Sequence, residues 1–241
     1  MTGSPISVRG RHISQEHPIC SSGFMLGKIT RREEYDLVAA WLAVSLSFAI
    51  IKLSPYGVLG PIQPVEPQTA LTYLVIALLT AGIGLVLHEL AHKFAAIKFG
   101  FWAEFRKNNF MLLIAVALAA LVGFVFAAPG ATVIYSTRPD GRTLTREENG
   151  KISAAGPATN LLLCIPFAAL FLISGPLALV PNTLLYQIGI FGIQINAMIA
   201  AFNMLPISIL DGNKVLSWNI AAFVLLLATS FAVLVSSFYI L

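Results

Sequence analysis

The sequence predicts an all-α polytopic membrane protein, and both its composition and the length of its apolar runs support this prediction. Of the 241 residues, 57% are hydrophobic and only 11% are charged, whereas about 25% of the residues of a soluble domain are charged. Apolar runs of about 20 residues are long enough to cross the hydrocarbon core of a bilayer as helices. The candidate runs are 37–53, 70–97, 109–128, 152–174, 185–206 and 217–240.

The chain is expected to consist of a tail and one membrane domain. Residues 1–36 carry charges and no long apolar run, which indicates a cytoplasmic N-terminal tail. Residues 37–241 contain no internal repeat and no separable soluble domain, so we expect a single integral membrane domain with a core at about 70–216. The formal charge of +4 comes without a dense basic patch, and basic residues beside membrane helices explain it. We therefore expect the lipid bilayer, and not nucleic acid, as a partner.

The positions of lysine and arginine favour one path for the third run, 109–128. If every run crosses the membrane and the tail is cytoplasmic, the four basic residues in 138–151 and Lys214 fall outside. If 109–128 instead enters the membrane and returns, 14 of the 15 basic residues lie inside and only Lys52 lies near the outer face. The second path obeys the positive-inside rule far better. We therefore expect a multi-pass protein of the cell membrane with a cytoplasmic N terminus.

The residues that end this run also indicate an interrupted element. Gly123 and Pro129 are helix breakers, and the β-favouring sequence ATVIY follows at 131–135. Irregular backbone at membrane depth is tolerated where protein rather than lipid surrounds it. The sequence thus predicts five spanning helices plus a re-entrant or membrane-embedded β element near 109–135, with six spans as the alternative.

A metal-binding motif, HELAH, lies at residues 88–92 in the second run. The i, i+4 spacing brings His88 and His92 onto one helical face, where two imidazoles can bind one Zn²⁺. Glu89 follows the first histidine, as does the general base of zinc hydrolases with this motif. A charged group at the centre of a membrane costs about 2.5–3.5 kcal/mol. This cost favours a functional metal site over a chance match or a pair of structural histidines.

A catalytic zinc usually has three protein ligands, so a third ligand is needed. Outside the tail the chain has no other histidine, and Asp211 is the only acidic residue after Glu148. Pro206 is expected to end the helix before Asp211. In the favoured topology the inner ends of 70–97 and 185–206 lie at the same depth. We therefore expect Asp211 to be the third ligand, although Asp-Gly also suits an ordinary turn.

Two asparagines in apolar runs are candidates for substrate binding. Asn160 is able to hold the scissile carbonyl or the developing oxyanion. Spacing alone favours a role in joining helices, because small residues precede it. Asn203 is likewise a candidate for substrate binding, and its alternative role is to satisfy backbone groups freed by Pro206.

Three motifs together resemble the site-2 protease family of intramembrane zinc metalloproteases: HELAH at 88–92, GPATN at 156–160 and NMLPISILDG at 203–212. The resemblance covers about half of the chain. It implies a three-helix catalytic core and a membrane-embedded β element at about 124–135. One departure is Asn213, which replaces the second glycine that often follows the Asp-Gly pair in this family.

The resemblance also implies roles for the candidate residues. His88, His92 and Asp211 would bind one catalytic zinc ion, Glu89 would be the general base, and Asn160 would lie near the substrate. Transmembrane proteins would be the substrates, and the active site would lie near the cytoplasmic side of the membrane.

The alternative function is a metal or proton transporter, because intramembrane His, Glu and Asp side chains also line ion pathways. Transporters usually contain internal repeats with broken helices in corresponding halves, and the sequence shows neither. We therefore predict a zinc metalloendopeptidase that hydrolyses a peptide bond within or near a transmembrane helix of a substrate protein.

Overall fold

The computed structural model of the chain describes residues 29–60, 64–124, 130–136, 140–177 and 182–239. Within these ranges the helices are α1 (Arg31–Leu53), α2 (Pro67–Ala77), α3 (Ile83–Lys98), α4 (Asn109–Val122), α5 (Arg146–Ser174), α6 (Thr183–Asn203), α7 (Asp211–Trp218) and α8 (Ile220–Tyr239). The strands are β1 (Ala103–Lys107) and β2 (Gly130–Ile134). A π-helical turn at Leu78–Gly82 joins α2 to α3, and a 3₁₀ turn at Gly57–Leu59 follows α1.

Five helical segments in the described part of the chain are long and apolar enough to cross a membrane. They are α1, the continuous helix formed by α2 and α3, and then α5, α6 and α8. Helix α4 is apolar but contains only 14 residues, fewer than the roughly 20 that a span needs. The prediction of an all-α polytopic membrane protein is confirmed, and five long helices with a different sixth element replace the alternative of six spans.

The sixth apolar segment, which contains α4 and β2, starts near one end of α1 and returns to that end. Helix α4 begins after Asn108, whose side chain caps it, and ends at Gly123, where a φ of 67° suits glycine. Gly123 packs against the carbonyl of Pro55, beyond the end of α1, with no room for a Cβ. Strand β2 then pairs antiparallel with β1, and Gly130 lies opposite Lys107. The predicted β element near 124–135 is thus present, although residues 125–129 lie outside the described residues.

Helix α1 begins earlier than the apolar run 37–53 indicates. Its first residue is Arg31, and Thr30 caps it by accepting a hydrogen bond from the backbone N–H of Glu33. The last residues of the predicted tail, 31–36, thus form the first turns of α1, and the division into tail and membrane domain stays a prediction. The tail residues 1–28 lie outside the described residues.

A buried ion pair connects α1 to α3 and to the sheet. Glu33 and Lys93 are both fully buried and form a salt bridge. The second oxygen of Glu33 accepts a hydrogen bond of 2.9 Å from the backbone N–H of Phe105 in β1. Breaking such a pair leaves an uncompensated buried charge, which costs about 3–5 kcal/mol. The pair therefore holds β1 beside the helix that carries HELAH.

Helices α3, α5 and α6 pack against one another and form the predicted three-helix core. Small residues let α5 and α6 approach closely, as is usual between membrane helices. A Cβ at Gly189 would lie 2.5 Å from the backbone nitrogen of Phe171, and Gly192 faces the ring of Phe167. This packing brings polar residues of three helices together at one depth.

Candidate active site

The two histidines of HELAH and Asp211 converge on one point. His88 Nε2 and His92 Nε2 are 3.0 Å apart. The Oδ2 atom of Asp211 lies 3.4 Å from His88 Nε2 and 3.0 Å from His92 Nε2. All three side chains are buried. The structure thus brings together the three residues that the sequence predicts as ligands.

Asp211 reaches this point because the helix before it stops early. Helix α6 ends at Asn203, and the following segment, which contains Pro206, is not helical. Asp211 is the first residue of α7, and Gly212 lies so close to the carbonyl of Met204 that it has no room for a Cβ. Burial tends to raise the pKa of Asp211, but the two facing histidines outweigh burial and hold that pKa below its ordinary value. The carboxylate is therefore in the charged form that binds a metal.

The outer nitrogen of each histidine is held by an acceptor. His88 Nδ1 lies 2.6 Å from Asn160 Oδ1, and His92 Nδ1 lies 2.8 Å from the carbonyl oxygen of Ile152. Because both partners accept, each Nδ1 carries the hydrogen and donates it. With Nδ1 as the donor of each ring, Nε2 is the nitrogen left to bind a metal, which is the arrangement found in metal-binding histidines.

The ligand atoms fit a zinc ion by their chemistry and their spacing. The two Nε2 atoms and a carboxylate oxygen all lie within 4.8 Å of one another. Two imidazoles and one carboxylate, with a further position open, form a common ligand set of catalytic zinc. Gly156 of α5 lies against these ligand atoms, and a Cβ there would be only 2.6 Å from His88 Nε2. Glycine therefore preserves space beside the ligand atoms.

Glu89 lies beside the ligand cluster and has one clear hydrogen-bond partner. Thr132 of β2 places its Oγ1 at 2.8 Å from Glu89 Oε2 and at 3.1 Å from the Glu89 backbone carbonyl oxygen. The hydroxyl can donate to the carboxylate and fix its direction. The sequence predicts a β element around Thr132 but gives no sign of its contact with Glu89.

Comparison with known proteins agrees with this geometry. Over 192 residues the chain is 40% identical to a protein of Methanocaldococcus jannaschii named "Putative zinc metalloprotease", and the match covers 80% of this chain and 87% of that protein. This chain belongs to the site-2 protease family. It is a zinc metalloprotease by relationship, and its buried cluster of two histidines and an aspartate suits the metal. No family model and no solved structure matches the chain.

Asn160 of this protease contacts a ligand rather than open space. It is fully buried, its Oδ1 accepts from His88, and its Nδ2 donates to the carbonyl of Gly84 at 3.1 Å and to Asn196 Oδ1 at 2.9 Å. The sequence analysis expected Asn160 to contact substrate. The structure favours a different role, because both amide hydrogens are already donated to protein acceptors.

Asn203 lies on the cavity of the protease, as expected for a residue that contacts substrate. Its Nδ2 donates to the carbonyl of Ile199 in its own helix at 3.0 Å. This contact lies within α6, one turn before its end, and it decides between neither alternative. Substrate binding by Asn203 stays a prediction.

The cavity beside the ligands has a volume of about 80 Å³. Its polar lining comes from α3, β2, α5, α6 and α7, and includes His88, Glu89, His92, Thr132, Ser153, Asn203, Asp211 and Lys214. Lys214, which the sequence analysis treated only as a marker of topology, lies 3.6 Å from Asp211 Oδ1. The cavity is therefore large enough for a water or a small polar group next to Glu89 and the ligand atoms.

Proposed function

We propose that this protease hydrolyses peptide bonds within or beside transmembrane helices of other membrane proteins. The observation that carries the proposal is the position of the ligand cluster and Glu89 in a cavity among helices long enough to cross a bilayer. Such a site is accessible to substrates that are themselves in the membrane. With the N terminus in the cytoplasm, the cluster would lie near the cytoplasmic side of the cell membrane, and we expect one zinc ion per chain.

The residues around the cavity suit the chemistry of peptide hydrolysis. A zinc ion held by His88, His92 and Asp211 would supply Lewis-acid polarisation and make a neighbouring water more acidic. Thr132 occupies Oε2 of Glu89, which leaves Oε1 to take the proton as the water oxygen attacks the carbonyl carbon. Glu89 then gives that proton to the leaving nitrogen as the C–N bond breaks.

A helical substrate has to unwind before it is cut, because each carbonyl of a helix is bonded to an amide four residues later. Strand β2 offers groups to which an unwound segment can bind. Tyr135 donates its backbone N–H to the Trp102 carbonyl at 2.9 Å. By the alternation of an antiparallel ladder, Val133 also bonds to β1, whereas the N–H and C=O of Thr132 and Ile134 face away from it.

The outward groups of β2 support a specific mode of substrate binding. In the described residues the sheet has two strands, so the outer edge of β2 has no strand beside it. Thr132 and Ile134 also line the cavity that contains Glu89. An extended substrate segment would add to this edge as a third strand, and its backbone would then pass beside the ligand cluster.

Substitution of Glu89 tests the proposed function. The purified full chain, in lipid vesicles with a panel of single-span substrates, should cut some of them inside or beside the apolar segment. Glu89→Gln should retain zinc and lose cleavage, because an amide cannot accept the proton. Glu66→Gln is the matched control and should cleave normally, because Glu66 is exposed and does not line the cavity.

Two outcomes would contradict the proposal. One is undiminished cleavage by Glu89→Gln. The other is zinc or proton flux across the vesicle membrane without proteolysis by the unmodified chain, which would instead support the transporter alternative.

A further inference from the structure

Asn196 is a buried polar residue that none of the three sequence motifs contains. It lies in the middle of α6, an apolar helix, and is fully buried. An amide in such surroundings requires hydrogen-bond partners, because no water replaces a missing one. Its partners therefore indicate what it does.

The hydrogen bonds of Asn196 form a directed chain that ends at a ligand. Asn196 Nδ2 donates to the carbonyl of Gly192, one turn earlier in its own helix, at 2.9 Å. Asn196 Oδ1 therefore faces Asn160 and accepts a hydrogen bond of 2.9 Å from its Nδ2. Asn160 Oδ1 in turn accepts from His88 Nδ1 at 2.6 Å.

The close approach of these groups depends on a glycine in α3. A Cβ at Gly84 would lie only 2.5 Å from Asn196 Oδ1. The same glycine offers its carbonyl to Asn160 Nδ2. Asn160 thus has two acceptors on its nitrogen side and one donor on its oxygen side, which fixes the orientation of its amide.

We propose that Asn196 is a positioning residue for the metal site, and that it acts on His88 through Asn160. By accepting from Asn160 Nδ2, it keeps Asn160 Oδ1 turned toward His88. His88 then carries its hydrogen on Nδ1 and keeps the Nε2 lone pair for the metal. Without this acceptor only the Gly84 carbonyl still holds the Asn160 nitrogen. When the amide turns its nitrogen toward His88, the hydrogen of His88 moves to Nε2, where it blocks ligation. The inference rests on the proposed zinc hydrolase.

A purely structural role for Asn196 is the competing explanation, because buried asparagines also join membrane helices. The chain provides a matched control on the same helix. Gln194 is also buried, and its Nε2 lies 3.5 Å from the carbonyl oxygen of Ser237 in α8. It thus joins two helices without contacting the ligand cluster.

The test compares Asn196→Leu and Gln194→Leu in the purified full chain. The dissociation constant for zinc is measured by competition with a chromogenic chelator, Co²⁺ replaces zinc for visible absorption spectra, and thermal unfolding is recorded in parallel. Residues that hydrogen-bond a metal ligand typically change metal affinity by about 10- to 100-fold when substituted. We expect Asn196→Leu to weaken zinc binding by about tenfold and to change the Co²⁺ spectrum, whereas Gln194→Leu should affect only stability.

A double substitution shows whether the effect passes through Asn160. If it does, Asn196→Leu added to Asn160→Leu should weaken zinc binding little further, because neighbouring residues that act together are not additive. Asn196→Ser supplies a second variant should the leucine variant not fold. Its hydroxyl is able to donate to the Gly192 carbonyl, as Ser45 and Ser47 donate to carbonyls one turn earlier, but is too short to replace the contact with Asn160.

The outcomes separate this inference from the proposed function. Unchanged zinc affinity in both Asn196 variants, or full additivity with Asn160→Leu, would overturn the positioning role. Weakened zinc binding together with an absence of proteolysis in the unmodified chain would support the positioning role and overturn only the proposed function. An unmodified chain that binds no zinc would overturn both.

Discussion

At the residue scale, each predicted metal ligand has a second residue beside it. Asn160 and the Ile152 carbonyl fix the two imidazoles, and Lys214 lies near the outer oxygen of Asp211. The hydroxyl of Thr132 hydrogen-bonds to the carboxylate of Glu89. The directions of both imidazoles and of the Glu89 carboxylate are therefore set before substrate arrives, which is how proteins usually reduce the cost of reorganisation during a reaction.

Thr132→Val tests the role of the hydroxyl that contacts Glu89. Valine keeps the shape of threonine and removes the donor, and a hydrogen bond to a charged group contributes about 1.5–3 kcal/mol. We therefore expect kcat to fall by roughly 10- to 100-fold, with KM and zinc content unchanged. Thr132→Ser retains a hydroxyl and should preserve most of the activity. Equal kcat in Thr132→Val and the unmodified chain would show that the contact is not used.

Sequence predicted the reactive residues better than the residues that support them. His88, Glu89 and His92 follow from spacing along one helix, and Asp211 followed from the need for a third ligand. Thr132 and Asn196 act through contacts between segments far apart in the chain, and no local pattern marks such contacts. For the same reason the sequence leaves Asn160 between substrate binding and the joining of helices, and only the packing of three helices reveals its contact with His88.

At the scale of elements, β2 lies between Glu89, the proposed general base, and the proposed substrate. One strand carries Thr132, which contacts Glu89, and also presents outward backbone groups at Thr132 and Ile134. The buried pair of Glu33 and Lys93 holds the neighbouring strand β1 against α1 and α3. The sheet is thus fixed to the catalytic helix on one side and open on the other.

Ile134→Pro tests whether substrate adds to the open edge of β2. Proline removes an N–H that points away from β1, so the β1–β2 ladder keeps its own hydrogen bonds. Ile134→Ala is the control, because it shortens the side chain, which packs near Phe101 and Ile152, and keeps the N–H. We expect Ile134→Pro to lower kcat/KM several-fold below that of Ile134→Ala, about the effect of one lost hydrogen bond of about 0.5–1.5 kcal/mol, without loss of zinc. Identical turnover in the two variants would contradict strand addition.

The bounds of the elements were only partly predictable, for physical reasons. Charges in residues 31–36 resembled a polar tail because a buried partner for Glu33 cannot be recognised from sequence alone. Helix α5 begins at Arg146, where Thr145 and Glu148 form a capping box; the apolar run starts only at 152. Strand β1 and helix α7 were not predicted, since both are short and their stability comes from neighbouring elements.

On the scale of the whole molecule, the described residues include five long apolar helices. The polar cavity is lined by residues of α3, α5, α6, α7 and β2. The positive-inside count predicts that the run 109–128 enters the membrane and returns, and this path stays a prediction to which the short α4 is suited. The side of the membrane on which the centre lies stays a prediction. The account as a whole depends on the convergence of two histidines and one distant aspartate upon a zinc ion.

Zinc K-edge X-ray absorption of the purified full chain, with metal content measured by mass spectrometry, tests this claim most directly. The account predicts one zinc per chain, nitrogen and oxygen ligands at about 2.0–2.2 Å including two imidazoles, and loss of that zinc in Asp211→Ala. A chain without zinc, a sulfur ligand at about 2.3 Å, or full zinc content in Asp211→Ala would contradict it.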